Sequence, residues 1–288
     1  MKEFRKVVLH GGQFNIDNAF VLAGVAFDIG TRVIKWYEKE GFNQYLTNRS
    51  EVKTEDRKTG KVTTKVIKGN RYSKRVMFGD PVKAIRQFFI HHSGGDGRNP
   101  SGMYETLQNQ RGLSVHFAAE DDGRIYQFLD AVECAWHGGG HNKFSIGVES
   151  CLFPDAAAHS DYYSGPELAQ RGNLPHTTTV ETLQGVKRTV FCFTAPQVQA
   201  LSLLAAGCWY GVASLTKNNT MLCAPPRFPR VGGAIPREVY AGHAQHSGLI
   251  GHLQCTDQKW DPAGFPWEMF EAGVGSAFSS MSAAAMEV

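Results

Sequence analysis

One stretch constrains the fold more than any other: TAPQVQALSLLAAGCWYGVASL, residues 194–215. Thr194 stands where a helix needs its N-terminal cap, Pro196 lies in the first turn, and Val198, Leu201, Leu204, Ala205 and Cys208 recur at helical spacing. A long apolar helix must bury its stripe against another layer. Short strand-like runs provide one. AIRQFFIHHS (84–93) runs into a buried strand ending at His91-His92, and VHFAAEDDGRIYQFL (115–129) reads as a hairpin around Asp121-Asp122-Gly123. FSIGVES (144–150) reads as a central strand, and HSGLIGHLQC (246–255) as a further strand edge. Strands mixed with a packed helix predict an α/β fold, a central sheet flanked by helices.

The 288 residues suffice for one domain with an appendage, or for two small domains. Residues 1–80 carry no chemical constellation and are expected to form an N-terminal appendage. In it, 19–42 reads as a strand followed by a short amphipathic helix, and 51–67 as an exposed hairpin around a Lys-Thr-Gly turn. The main domain is expected over 81–270. Within it, 152–190 is polar, with Pro and Gly and little period, and reads as a long excursion over the surface. The small, polar tail, 271–288, is expected to fray or to form a modest helix.

A formal charge of +3 is too small to imply nucleic-acid binding. It is unevenly placed, with ten Lys/Arg (Arg49, Lys53, Arg57, Lys58, Lys61, Lys65, Lys68, Arg71, Lys74, Arg75) against three acids between 49 and 75. That segment is either a solvated hairpin or a patch that docks on an anionic polymer. Six cysteines without a CxxC unit read mainly as free, buried thiols. MKEFRKVVLHGG lacks the apolar core and cleavage site of a signal peptide. The run 20–30 is too short to span a bilayer, so no transmembrane segment is expected. If the protein works outside its cell of origin, something else must carry or release it.

Hydrolytic zinc sites need about three protein ligands and an open position for water. His91 ends an apolar strand and is followed by Ser and two glycines. His116 lies inside VHFA, His137 in WHGGG and His252 in LIGH, with Lys259 and Asp261 close behind. A single histidine of this kind is more often a satisfied structural side chain; several beside an Asp-Pro turn point toward a metal.

Four blocks, in order, then carry a family resemblance: FFIHHS (88–93), VHFAAEDDGRIYQ (115–127), AWHGG (135–139) with SIGVE (145–149), and GHLQCTDQKWDPAGFPW (251–267). The chain from about 85 to 270 resembles the zinc-dependent N-acetylmuramoyl-L-alanine amidases, a family that includes phage lysozyme-like amidases, anhydro-muropeptide amidases and peptidoglycan recognition proteins. The resemblance implies a single central mixed sheet flanked by helices, zinc as cofactor, and peptidoglycan as partner and substrate. It implies His91, His252 and Asp261 as metal ligands, and Glu149 and Lys259 as catalytic residues. His137, Trp136 and His116 are candidates for the cleft and for gripping substrate. His243 and His246 are rival second ligands, but His252 lies nine residues before Asp261 and follows the apolar Gly-Leu-Ile. The neighbouring His92 is expected to face the other way, since adjacent residues of a strand do. Cys255 does not match a ligand position and reads as structural.

Two departures stand out. Val115 occupies a position where many relatives carry a tyrosine, which shifts the catalytic burden to Glu149 and Lys259. Ala263 precedes the glycine that usually follows Asp-Pro directly, which reshapes that turn. Competing readings are a zinc-containing module that binds peptidoglycan without cutting it, another metallohydrolase such as a carboxypeptidase, and a structural part of a phage or secretion particle. The basic segment is a candidate contact for an anionic wall polymer or a carrier particle. No specific nucleic acid is implied.

Overall fold

Along the chain, β1 (Arg5–Val8), β2 (Ala19–Leu22) and β3 (Val25–Asp28) form a three-stranded sheet ordered β1-β3-β2. β4 (Val33–Lys35) follows, then the hairpin of β5 (Ser50–Glu55) and β6 (Val62–Ile67), and the short β7 (Tyr72–Ser73). β8 (Gln87–His92) leads to α1 (Pro100–Glu105), which runs into a π-helical turn over Thr106–Arg111. Next come β9 (Phe117–Ala119), β10 (Ile125–Gln127), β11 (Cys134–Ala135) and β12 (Ser145–Ser150). α2 (Pro166–Arg171), the hairpin of β13 (Thr178–Leu183) and β14 (Val186–Phe191), α3 (Ala195–Thr216), β15 (Gly248–Gly251) and α4 (Trp267–Met286) complete the chain. This is a computed structural model, and it describes residues 4–46, 50–55, 61–67, 69–218, 221 and 223–286.

The central sheet has six strands in the order β15-β8-β12-β9-β10-β4. Its neighbours are parallel except β9 and β10, so the sheet is mixed and the fold is α/β, as expected. The Asp-Asp-Gly turn joins the antiparallel pair. Gly123 is obligatory there, with φ +89° and a position where a Cβ would lie 2.8 Å from the Pro196 carbonyl oxygen. Strand alternation divides the side chains between two cores. Phe88 and Ile90 of β8 join Ile146 and Val148 of β12 beneath α3, whereas Ala118 of β9 packs with Tyr126 and Phe128 on the opposite face.

Helix α3 forms as its sequence predicts. The Thr194 side chain accepts a hydrogen bond from the Gln197 amide, and Val198, Leu201, Leu204, Ala205 and Cys208 are buried. The helix is long and apolar enough to cross a bilayer by length and composition, but most of it lies inside this chain's own core. All six cysteines are free, with Cys134, Cys151 and Cys208 buried.

Three expectations need correction. The N-terminal segment is no appendage, because β4 forms an edge of the central sheet, and Leu9, Phe20, Leu22, Phe27 and Ile29 belong to its main core. The contact is close, since a Cβ on Gly207 of α3 would lie 2.5 Å from Ile29. The helix expected before residue 42 is absent; the β2–β3 hairpin and β4 use those apolar residues instead. The 152–190 excursion contains α2 and nearly all of the β13–β14 hairpin and sends Leu152, Tyr163, Leu183 and Val190 into the core. Of the two outcomes expected for the tail, the helix forms: it belongs to α4, anchored by Phe270, Val274, Phe278 and Met281 at one-turn intervals.

The basic segment divides. Arg49, Arg57, Lys58 and Lys68, and the Lys-Thr-Gly turn, lie outside the described residues. Arg71 and Arg75 are buried, not solvated. Arg75 donates to four backbone carbonyls, those of Val132 (3.0 Å), Glu133 (2.6 Å), Asn142 (3.1 Å) and Ser145 (2.8 Å). Its guanidinium therefore ties the turn before β11 to the end of the β11–β12 loop and the start of β12. Replacing Arg75 with Ala strips these carbonyls of their donor, and the variant is expected to lose at least about 3 kcal/mol in equilibrium denaturant unfolding. A loss below about 1 kcal/mol would contradict the brace.

Candidate metal centre and cleft

β8 and β15 are parallel neighbours with Ile90 opposite Gly251, so His91 and His252, one residue further on, leave the sheet side by side. Asp261 returns to them through the following turn, where the Leu253 amide donates to the Asp261 carbonyl at 2.7 Å. Three side-chain atoms converge: His91 Nδ1 lies 3.1 Å from His252 Nδ1 and 3.0 Å from Asp261 Oδ2, and His252 Nδ1 lies 3.1 Å from that same oxygen. The edge of a tetrahedral zinc site with these donors is about 3.3 Å. Two imidazoles and one carboxylate at this spacing fit a zinc ion, with a fourth position left for water or substrate.

The surrounding hydrogen bonds assign the ring protons. Ser145 Oγ donates to the His141 carbonyl at 2.8 Å, so it accepts from His137 Nε2 at 3.2 Å. His137 Nδ1 is then bare and accepts from His91 Nε2 at 3.0 Å. That leaves His91 Nδ1 as the lone pair facing Asp261 and His252, the tautomer a metal ligand needs. Gly147 makes room for this chain, since a Cβ there would lie 2.5 Å from the His137 ring. Burial pushes His91 down to about 4 and holds His137 well below its ordinary range, so both rings stay neutral. Burial acts to raise the Asp261 carboxyl, but the His252 ring beside it, 3.1 Å from its oxygen, outweighs that and holds the group ionised.

A cleft of about 760 Å³ opens over the three ligands. Glu149 pairs in register with His91 on the adjacent parallel strand and so emerges beside it. Its Oε2 is sealed from solvent and has no hydrogen-bond partner among the described residues. Burial, and then the charge of Asp261, push its carboxyl up to about 8. Lys259, Trp136 and His137 also line the cleft, as expected.

Two expectations about individual histidines change. His116 is fully buried and touches no cleft: its Nε2 donates to the Glu133 carbonyl at 2.9 Å, and its Nδ1 accepts from the Gly147 amide at 2.9 Å. It supports the sheet and the ring of His137, 5.8 Å away, and has no free atom for substrate. His137 lines the cleft but spends both nitrogens on orienting His91. Trp136 donates its indole N–H to Ser73 at 3.0 Å, which fixes the ring at the cleft wall. His92 stays out of the ligand cluster but, contrary to expectation, also lines the cleft, its ring edge-on to Trp260 at 5.3 Å. Of the rival ligands, His246 is occupied by the Arg227 and Leu249 carbonyls, and His243 lies against His141.

Three contributors escaped the sequence reading. Arg111, at the end of the π-helical turn, lines the cleft and favours the charged form of Glu149. Trp260 lines it too, between the His92 ring and the Arg188 guanidinium, 4.6 Å away. Asn142 accepts from the amides of His137 and Gly138 and shapes the glycine loop; an Asn directly after Gly-Gly-Gly-His was its only signal.

Residues 81–264 match the N-acetylmuramoyl-L-alanine amidase family. Among solved structures, the chain is similar to the endolysin N-acetylmuramoyl-L-alanine amidase LysCS from Clostridium intestinale URNW. The identity is 15%, over 70% of this chain and 86% of that one, with a TM-score of 0.36. It is also similar to the Ph2119 endolysin from the Thermus scotoductus MAT2119 bacteriophage Ph2119, at 14% identity over 85% of this chain and 99% of that one, with a TM-score of 0.36. No curated protein sequence matches significantly.

The buried Glu149 makes a prediction about stability. Its folded pKa, about 8, lies above the 4.5 of a free glutamate, so the folded state holds the proton more tightly. Burying its charge therefore costs nothing below pH 4.5, progressively more as pH rises to 8, and a constant amount above. In chelator-treated protein, Glu149→Gln is expected to raise Tm by an amount that is near zero at pH 4 and grows up to pH 8. A Tm difference independent of pH would contradict the buried carboxyl.

Proposed function

The chain belongs to the N-acetylmuramoyl-L-alanine amidase family, and from that premise we propose that this cleft hydrolyses the amide joining N-acetylmuramic acid to the L-alanine of the peptidoglycan stem peptide. One observation carries the reading: the half-buried Glu149, whose Oε2 is sealed from solvent and without a hydrogen-bond partner among the described residues, stands beside three converging metal-ligand atoms in an open cleft. His91, His252 and Asp261 would hold the zinc. A zinc ion there supplies positive charge that makes water more acidic and polarises an amide carbonyl.

The chain's own residues do the rest. Glu149, with a pKa raised toward neutrality, takes a proton from the attacking water and delivers it to the departing L-alanine amine. Lys259, across the cleft, faces the carbonyl oxygen as it gains negative charge. Trp136 and Trp260 offer flat apolar surfaces for sugar or peptide. Burial keeps His91 and His137 neutral, so the ligand lone pairs persist at working pH.

A module that binds without cutting would have no use for the acid Glu149 and the cation Lys259 around a complete ligand set. The exposed β6 strand, in the basic segment, is our candidate contact for an anionic wall polymer or a carrier particle. We place the enzyme's action at the cell wall, reached by release or delivery from the cytoplasm.

Digestion of purified peptidoglycan, with products read by mass spectrometry, tests this reading. The native protein is expected to release stem peptides beginning with L-alanine and to leave the glycan linkages intact. Chelator should abolish release, and Glu149→Ala should slow it by about 10²–10⁴-fold. Native, zinc-loaded protein that binds the wall yet releases nothing would overturn the hydrolytic reading.

A further inference from the structure

We propose a second metal site, built by His141, His243 and Cys255, that binds a divalent cation of the zinc type outside the catalytic cleft. It does not depend on the amidase reading. The three ligand atoms lie within 4.8 Å of one another and come from three separate segments: the glycine loop before β12, the loop before β15, and the turn after it. None of them belongs to the first cluster. The ring of Phe89 stands between the two centres, 4.6 Å from His91 on one side and 5.4 Å from His141 on the other.

The protons of this cluster are fixed from outside it. Gln87, buried on β8, donates from Nε2 to the carbonyls of His243 (2.7 Å) and His246 (2.9 Å). That uses both amide hydrogens and leaves Gln87 Oε1 as an acceptor, which lies 2.8 Å from His141 Nδ1. His141 therefore carries its proton on Nδ1 and presents a bare Nε2 lone pair. That nitrogen sits 2.9 Å from His243 Nδ1. Metal-bound histidines are held in this way, the far ring N–H given to a carbonyl oxygen that fixes tautomer and orientation. Burial also holds His141 neutral, at about 4, so its lone pair is present at any working pH.

Cys255 completes the set. Its thiol hydrogen-bonds to the Gly251 carbonyl at 3.6 Å, a contact weak enough to yield to a cation. Since no pair of the three atoms is more than 4.8 Å apart, closing the triangle to tetrahedral edges of about 3.3–3.6 Å needs a shift of at most about 1.5 Å at the cysteine. Burial keeps the free thiol protonated, and a bound cation would displace that proton. Two imidazoles and a thiolate suit zinc, whereas magnesium and calcium take oxygen ligands. His243 and Cys255 are half-buried, so the fourth position faces solvent.

Such an ion would tie together the segments that shape the catalytic centre. His141 shares its loop with His137 and Asn142, and the Cys255 amide donates to the His252 carbonyl at 2.9 Å. The second site would brace the first from behind.

Metal content of the full chain, loaded with zinc and dialysed, tests the proposal, with cobalt substitution as a second readout. Two ions per chain are expected. Cys255→Ser and His243→Ala should each retain one, His91→Ala should retain one, and Cys255→Ser/His91→Ala none. The cobalt-loaded native protein and His91→Ala should show a thiolate-to-cobalt charge-transfer band that Cys255→Ser lacks, since the first cluster contains no sulfur. A native protein holding one ion, lost in His91→Ala, unchanged in Cys255→Ser and without the band, would overturn the second site and leave the amidase centre standing. One ion that is lost in Cys255→Ser but kept in His91→Ala would uphold the second site and count against the first.

Discussion

Three lone pairs held 3.0–3.1 Å apart are the arrangement on which the rest of the cleft depends. The bare His91 nitrogen and the Asp261 carboxylate oxygen repel one another at that distance unless a proton, such as one on His252 Nδ1, or a cation lies between them. The fold holds them there by three means. The parallel register of β8 and β15 sets His91 beside His252, the Leu253–Asp261 backbone bond closes the turn, and the Ser145–His137–His91 relay points the bare nitrogen inward. Any one of these failing would leave a surface histidine and a loop aspartate of no consequence.

The same sheet positions the acid. Because β12 and β8 run parallel with Glu149 opposite His91, the carboxyl arrives next to the ligands without a loop to place it. Its cost is an unpaired, buried oxygen, the kind of local strain that stable folds tolerate where chemistry needs it. The loop between β11 and β12 bears the rest of the precision. Arg75 grips its carbonyls, Asn142 its amides, and Gly147 leaves the volume that His137 fills. An interior this interlocked explains why residues before 80 cannot be separated from the catalytic half: Arg75 and Trp136's partner Ser73 both come from there.

The legible part of this protein was its local part. Helix α3 carried its own cap and period, the Asp-Asp-Gly hairpin its own turn, and His91, Glu149 and His252 sat in or just after short apolar strands whose ends open into loops. What the sequence could not disclose depends on partners distant in the chain. Nothing around Arg75 announces four carbonyl acceptors between 132 and 145, and nothing around His116 shows that both its nitrogens are taken. His137 was visible as a residue of the centre, but its role was not: it serves His91 rather than substrate. The N-terminal strands were misjudged because they lack chemistry, although Phe20, Leu22 and Phe27 pack as tightly as any core residue. His141, His243 and Cys255, spread over more than a hundred residues, meet only through the fold.

The most direct test of the centre is the anomalous diffraction of crystals of the zinc-loaded protein, collected on both sides of the zinc absorption edge. A peak about 2.0–2.2 Å from His91 Nδ1, His252 Nδ1 and Asp261 Oδ2 together, with His91 Nε2 still bonded to His137, is the result this account predicts. Zinc bonded through His91 Nε2, or no zinc within reach of these three atoms, would contradict it.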